Sequence, residues 1–372
     1  MMQTTRTSFH ARAIHHAAIA LVSFAGIASF AGVASAQTSV SLVGGRLTIT
    51  TNNAEQNVKV EMKEAPGVAR LFGFQGVLDG TAYAGVTGVT INTGAARDRV
   101  EFDIETRVSV DLRVNSGAGE LESKTQVKVL PAAVPVVAGI AYTSLPGALK
   151  LVNVEVDNEA ANARVSIDTG NATEVNAKVL SDDPSNSLNV AFNARGAKTT
   201  VELASAASVL DVSLSGAHAT PGSEVKHVIG QLRPATVRVS NNVTLSSGSD
   251  KLESKVAAPG SSVTIVGAAR GGDGDDLALF EIEGASVVNG LSLEGGAGND
   301  LLSNQTKGVF QLSQTVGARI LAGPGDDLLI LTTDTAIRGT GLPNDVQNVI
   351  DGGEGFDLYN AFGLIRNCEG RL

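Results

Sequence analysis

Short runs in which apolar and polar residues alternate recur along almost the whole chain: GRLTITT from Gly45, VTGVTINT from Val86, VSVDLRV from Val108, ARVSID from Ala163, SLNVAFNA from Ser187 and ATVRVS from Ala235. A two-residue period places every second side chain on one face of an extended strand. These runs are rich in Val, Ile and Thr, and Gly, Asn, Asp and Ser break them, which is how strands and their turns are written. No long stretch carries the 3.6-residue period of a helix. The 42 glycines point the same way, because a helix interior tolerates few of them. The pattern predicts an all-β chain.

Internal similarity narrows the architecture. The segment from Gly94 to Ser123 resembles the segment that begins at Gly267. Asp98 precedes Phe102 and Ile104 as Asp276 precedes Phe280 and Ile282, and a Gly-x-Gly turn follows each (Gly117 and Gly119; Gly296 and Gly298). Two weaker echoes pair IDTGNATEV at Ile167 with INTGAARDRV at Ile91, and GELESK at Gly119 with DKLESK at Asp250. Units of 20–30 residues made of short strands cannot bury their own apolar faces, whereas stacked units share one core. The expected fold is therefore a parallel β-solenoid (β-helix). A β-sandwich or tandem Ig-like modules is the competing arrangement for the first half.

The expected organisation runs as follows. Residues 1–36 read as a signal peptide: Arg6 and Arg12 precede an apolar run from Ala17 to about Val33, and Ala34-Ser35-Ala36 offers a small-x-small cleavage site before Gln37. Residues 37–128 form an N-terminal β-repeat region. Residues 129–148, with Pro131, Pro135 and Pro146, form an irregular connection, since proline interrupts a ladder. Residues 149–266 form a middle β-repeat region, and residues 267–372 a final solenoid with its own turn chemistry.

Charge marks that last region out. The chain has a formal net charge of −10, and from Gly271 onward it carries 15 Asp and Glu against 5 Lys and Arg. Such a field attracts cations and repels nucleic acid. Four stretches there share one pattern: GGDGDDLAL from Gly271, GGAGNDLLS from Gly295, AGPGDDLLI from Ala322 and GGEGFDLYN from Gly352. Glycine stands at positions two and four, Asp at six, and apolar residues follow. Position one is Gly271, Gly295 and Gly352 in three copies and Ala322 in the third. Position two is Gly272, Gly296, Gly323 and Gly353, position four Gly274, Gly298, Gly325 and Gly355, and position six Asp276, Asp300, Asp327 and Asp357.

This pattern resembles the calcium-binding nonapeptide of the hemolysin-type (RTX) repeat proteins, GGxGxDxUx. The resemblance implies calcium as the ligand, with those glycines and aspartates as its site. The chemistry suits the spacing. Glycines allow positive φ and bring carbonyls inward, the Asp adds a charged oxygen, and calcium takes six to eight oxygens. Adjacent rungs lie about 4.8 Å apart, so an ion between two stacked turns is within reach of both. Without an ion, a column of carboxylates at that spacing repels itself by about 1 kcal/mol or more per adjacent pair. The chain departs from the family in having its motifs 24, 27 and 30 residues apart rather than in tandem. Shared sites require each interval to be a single rung. Thr93-GAARD is a weaker relative that keeps Gly94 and Asp98.

Other chemistry is sparse. Outside the first 36 residues the histidines are His218 and His227, expected as exposed loop residues. There is no HExxH, no zinc-type Cys/His spacing, no GxSxG elbow and no phosphate-cradling glycine loop. The single cysteine, Cys368, excludes an internal disulfide and is expected to be a small buried residue. The reading that follows is an exported, non-enzymatic calcium-binding protein of structural or adhesive role, in the cell envelope or outside the cell. Its partners would be calcium and surface or matrix components. A calcium-dependent polysaccharide lyase or hydrolase on a β-helix is the alternative.

Overall fold

The computed structural model describes residues 38–372, apart from 53, 64, 66, 74–79, 145–149, 309–313, 316, 334–347 and 362–363. The expected signal peptide lies outside the described residues. Every regular element among those described is a strand, and all but a few of the strand pairs are parallel. The described residues form a β-solenoid.

Each rung contributes one strand to each of two stacks. In one stack Gln56–Met62, Asp98–Thr106, Leu121–Val129 and Lys150–Asn158 pair in order. The stack continues through Glu174–Ser181, Lys198–Ser205 and Glu224–Gln231 to the last rungs. The other stack runs from Arg46–Thr50 and Gly88–Asn92 through Val110–Ser116 and onward. Two long strands, Lys251–Asp273 and Leu277–Ala297, pass from the first stack into the second. Their corner is a register shift between Ala258 and Ser262, where Gly260 takes φ +77°.

Alternation sets the core. Within Asp98–Thr106 the side chains of Asp98, Val100, Phe102, Ile104 and Thr106 turn inward, and those between them turn out. Stacking aligns these positions into columns. One inward column reads Phe102, Thr125, Val154, Ala177, Val201, His227, Ser254 and Phe280. Phe280, fully enclosed in that column, is expected to cost about 3–5 kcal/mol when replaced by Ala. Chemical denaturation of the variant, followed by loss of amide protection in the neighbouring rungs, measures it.

Two expectations need correction. The stretch 129–148 is not an irregular connection throughout: Val136–Ser144 is a nine-residue strand that pairs with Val110–Ser116 and Asn162–Asp168. Pro131 and Pro135 fall before its first residue, so no ladder bond is lost to them, and Pro146 lies outside the described residues. The rung therefore keeps its place, and Tyr142 of this strand bonds through its hydroxyl to Ser123 and Thr125 on the opposite stack. The histidines are not exposed either. His218 and His227 are both 3% accessible, the latter because its position in the strand is an inward one. Cys368 is partly buried against the end of the core.

Burial pushes the His227 imidazole down to about 3, with the neighbouring His218 adding to the effect. Its Nδ1 has no hydrogen-bond partner. The unfolded chain takes up a proton near pH 6.5 that the folded chain refuses until about pH 3. Excluding that proton therefore costs nothing above pH 7, and stability is lost as pH falls below 6.5. At pH 5 the loss is about 2 kcal/mol. A His227→Leu variant is expected to lack it, so the stability difference between variant and parent should change in the variant's favour from pH 8 to pH 5.

Candidate functional site

Each interval between the four motifs is a single rung. Leu277 pairs with Leu301, Leu301 with Leu328 and Leu328 with Leu358, so motifs 24, 27 and 30 residues apart sit on consecutive rungs. The four turns form one column along one edge of the solenoid.

The glycines explain how they fit. At position two, Gly272, Gly296, Gly323 and Gly353 have φ between +99° and +123°. At position four, Gly274, Gly298, Gly325 and Gly355 have φ between +124° and +150°. A Cβ on Gly296 would lie 1.6 Å from the Gly272 carbonyl oxygen, and one on Gly325 1.7 Å from that of Gly298. The two positions are thus fixed by conformation and by the approach of the rung below. Position one has a different reason. A Cβ on Gly271 would meet Asp276 Oδ2 at 2.3 Å and the Gly295 carbonyl oxygen at 2.4 Å. On Gly295 it would meet Asp300 Oδ2 at 2.1 Å and the Ala322 carbonyl at 2.7 Å. On Gly352 it would meet Asp357 Oδ2 and the Asn367 carbonyl, both at 2.2 Å. At each of these turns a carboxylate oxygen and a carbonyl oxygen of the next turn converge.

The aspartates form a ladder. The amide of Asp276 donates to Asp300 Oδ1 at 2.9 Å, that of Asp300 to Asp327 Oδ1 at 2.7 Å, and that of Asp327 to Asp357 Oδ1 at 3.0 Å. Asp357 closes the series by donating to Glu369 Oε2 at 2.9 Å. Upstream, the Asp250 amide donates to Asp276 Oδ1 at 2.8 Å. The Oδ1 atoms are therefore occupied. The Oδ2 atoms of Asp276, Asp300, Asp327 and Asp357 are buried and have no hydrogen-bond partner, in residues 3%, 2%, 3% and 0% accessible. An orphaned buried carboxylate oxygen is costly unless a proton or a cation meets it.

Two further aspartates of the same column make the contrast. Asp98 Oδ1 accepts the Gln56 amide and its Oδ2 the Gly94 amide, each at 3.1 Å. Asp250 Oδ1 accepts the Ser223 amide, and its Oδ2 the Ser246 amide at 2.8 Å and the Ser246 hydroxyl at 2.9 Å. Gly94 and Ser246 hold position two of their turns without positive φ. Where position two is a positive-φ glycine, no amide reaches Oδ2. The glycine that lets the turns stack thus accompanies the loss of the donor.

Electrostatics follow the same division. Burial, reinforced by neighbouring carboxylates, pushes the Asp276, Asp300 and Asp327 carboxyls up to about 6 against the lowering effect of their amide donors. Asp357 is raised too, chiefly by burial. Among the described residues no three His, Cys, Asp or Glu side chains converge on one point. A cation at these turns would therefore draw a single carboxylate from each and its remaining oxygens from the main chain, a donor set that suits a hard ion such as calcium.

Three features escape the nonapeptide pattern. The Ser246–Asp250 turn extends the ladder one rung upstream, although only Gly248 and Asp250 survive of the motif. Glu369 ends the ladder from outside any motif. Position five builds a second, outward ladder: Asn299 donates its amide to Asp275 Oδ1, Asp326 to Asn299 Oδ1 and Phe356 to Asp326 Oδ1, at 2.8–2.9 Å. No family model, curated protein or solved structure matches this chain.

Proposed function

We propose that this chain is an exported, non-catalytic β-solenoid that binds calcium between its last turns and serves a structural or adhesive role at or beyond the cell envelope. The four orphaned Oδ2 atoms carry the reading. They are the charged oxygens of the column left without a donor, they occupy consecutive rungs, and each of those at Asp276, Asp300 and Asp357 faces a carbonyl oxygen. Calcium satisfies both kinds of oxygen at once. Its release of the repulsion among stacked carboxylates links binding to folding of the C-terminal rungs. A rod whose stiffness depends on an ion abundant outside cells suits a scaffold or adhesin. The export reading rests on the first 36 residues and the role on analogy with other extended repeat proteins.

Equilibrium dialysis against calcium, with EDTA-treated protein, tests the proposal. Binding is expected with a stoichiometry of two or more, saturating in the micromolar to millimolar range. It should fall in Asp300→Asn and Asp327→Asn and stay unchanged in Asp98→Asn. Failure to bind calcium at 10 mM would remove the reading and leave protons as the partners of the four oxygens.

A further inference from the structure

One other turn of the column already holds a cation, and that cation belongs to the protein. Leu121 pairs with Asp98 on one side and Lys150 on the other, so Leu121 and Lys150 hold the column position that Asp276 holds downstream. The turn before Leu121 is Ser116-Gly117-Ala118-Gly119-Glu120, with glycine at positions two and four. These glycines also lie tightly on the rung below: a Cβ would meet the Gly94 carbonyl at 2.1 Å and the Ala96 carbonyl at 1.8 Å. The position-six carboxylate is absent.

Lys150 supplies the missing charge with the opposite sign. Its side chain is 1% accessible and reaches back into the preceding turn. The ammonium donates to Ser116 Oγ at 2.5 Å, to the Gly117 carbonyl at 3.0 Å and to the Gly119 carbonyl. Three N–H donors meet three oxygens, so the ammonium is fully used. Burial lowers the pKa of the Lys150 ammonium, and the carboxylates of Asp98 and Glu120 oppose that shift without reversing it. Carbonyls at positions two and four of a Gly-x-Gly turn can therefore converge on a positive charge inside this edge of the solenoid.

We propose that Ser116–Leu121 is a cation-holding turn in which the Lys150 ammonium is the resident ion, so that the first rungs of the solenoid need no metal. The clause on metal independence rests on the calcium reading of the last turns, and the clause on Lys150 stands without it. The N-terminal rungs would then fold before the chain meets calcium and offer a template for the later ones.

Lys150→Met and Lys150→Ala test the tethered cation. The Met variant keeps volume and loses charge, and hydrogen exchange should show at least tenfold faster exchange of amides in 116–121 and the adjoining strands. In the Ala variant, n-propylammonium should restore most of that protection and 1-propanol should not. Equal protection in Lys150→Met and parent, or equal rescue by the alcohol, overturns the proposal, because volume alone would then be the requirement. Should neither variant fold, Lys150→Arg decides: folding with Arg supports a charge requirement, and its failure too counts against one. In the unsubstituted protein, calcium added after EDTA should protect Leu277–Ala361 and leave Gly88–Asn158 unchanged. Protection gained in both segments overturns metal independence. No change in either sinks the calcium reading and leaves the Lys150 result to stand alone.

Discussion

In millimolar calcium the C-terminal rungs are expected to melt at least about 10 °C above their midpoint in EDTA. The size follows from linkage. An ion at a hundred times its dissociation constant stabilises the state it binds by about 2.7 kcal/mol. Four stacked turns enclose three gaps, and Asp300 and Asp327 between them border every one. The double variant Asp300→Asn, Asp327→Asn should therefore lose most of the response. Asn is the informative replacement because its side-chain oxygen still accepts the amides of Asp276 and Asp300. Alanine would leave those buried donors unpaired and confuse two effects. In EDTA the same variant should match or exceed the parent, since two of the four repelling charges are gone. Differential scanning calorimetry with both buffers checks all of this. An unchanged midpoint in the parent would show that the turns close without metal.

The second large effect is steric and indifferent to ions. Gly325→Ala places a Cβ 1.7 Å from the Gly298 carbonyl oxygen, at a φ of +150°. Neither the backbone below nor the substituted residue can yield without breaking the rung contact. A loss above about 4 kcal/mol is expected, enough to unfold the last rungs in a chain of marginal stability. Calcium should not restore them. Gly222→Ala is the control: its φ is +76°, but nothing lies within 4 Å, so the cost should be about 1–2 kcal/mol from conformation alone. Limited proteolysis followed by mass spectrometry distinguishes the outcomes, with new cleavage after Gly298 in the first variant and the parental pattern in the second.

The alternation of apolar residues and the echo between Asp98-Phe102-Ile104 and Asp276-Phe280-Ile282 were enough to read a solenoid, and the structure places both sets in the same columns. The weaker echoes mislead. Ser123 stacks in the column of Leu252 rather than of Ser254, so the two LESK segments are out of register by two residues. A strand pattern of period two looks the same after such a slip, which is why sequence similarity alone cannot set register. The four motif turns were legible because glycine leaves no substitute at positive φ. The Ser246–Asp250 turn was not, since its serine holds position two without positive φ and satisfies the carboxylate itself. Lys150 and the histidines were hidden for another reason. Their surroundings depend on which residue a rung 22 to 33 positions earlier sets beside them, and no local pattern records that.

The uneven rung lengths have a consequence for how such a chain can change. From Leu301 to Asp327 the chain completes one circuit, returning with its turn aligned on the turn before. The steps on either side differ from it by three residues, and the aspartate column is unbroken by the difference. Circuits of unequal size are therefore compatible with one continuous column, while a slip of one residue inside a motif turn throws inward side chains out and dislodges every rung that leans on it. Circuit size is the adjustable quantity of this molecule, and the alignment of its turn edge is the fixed one.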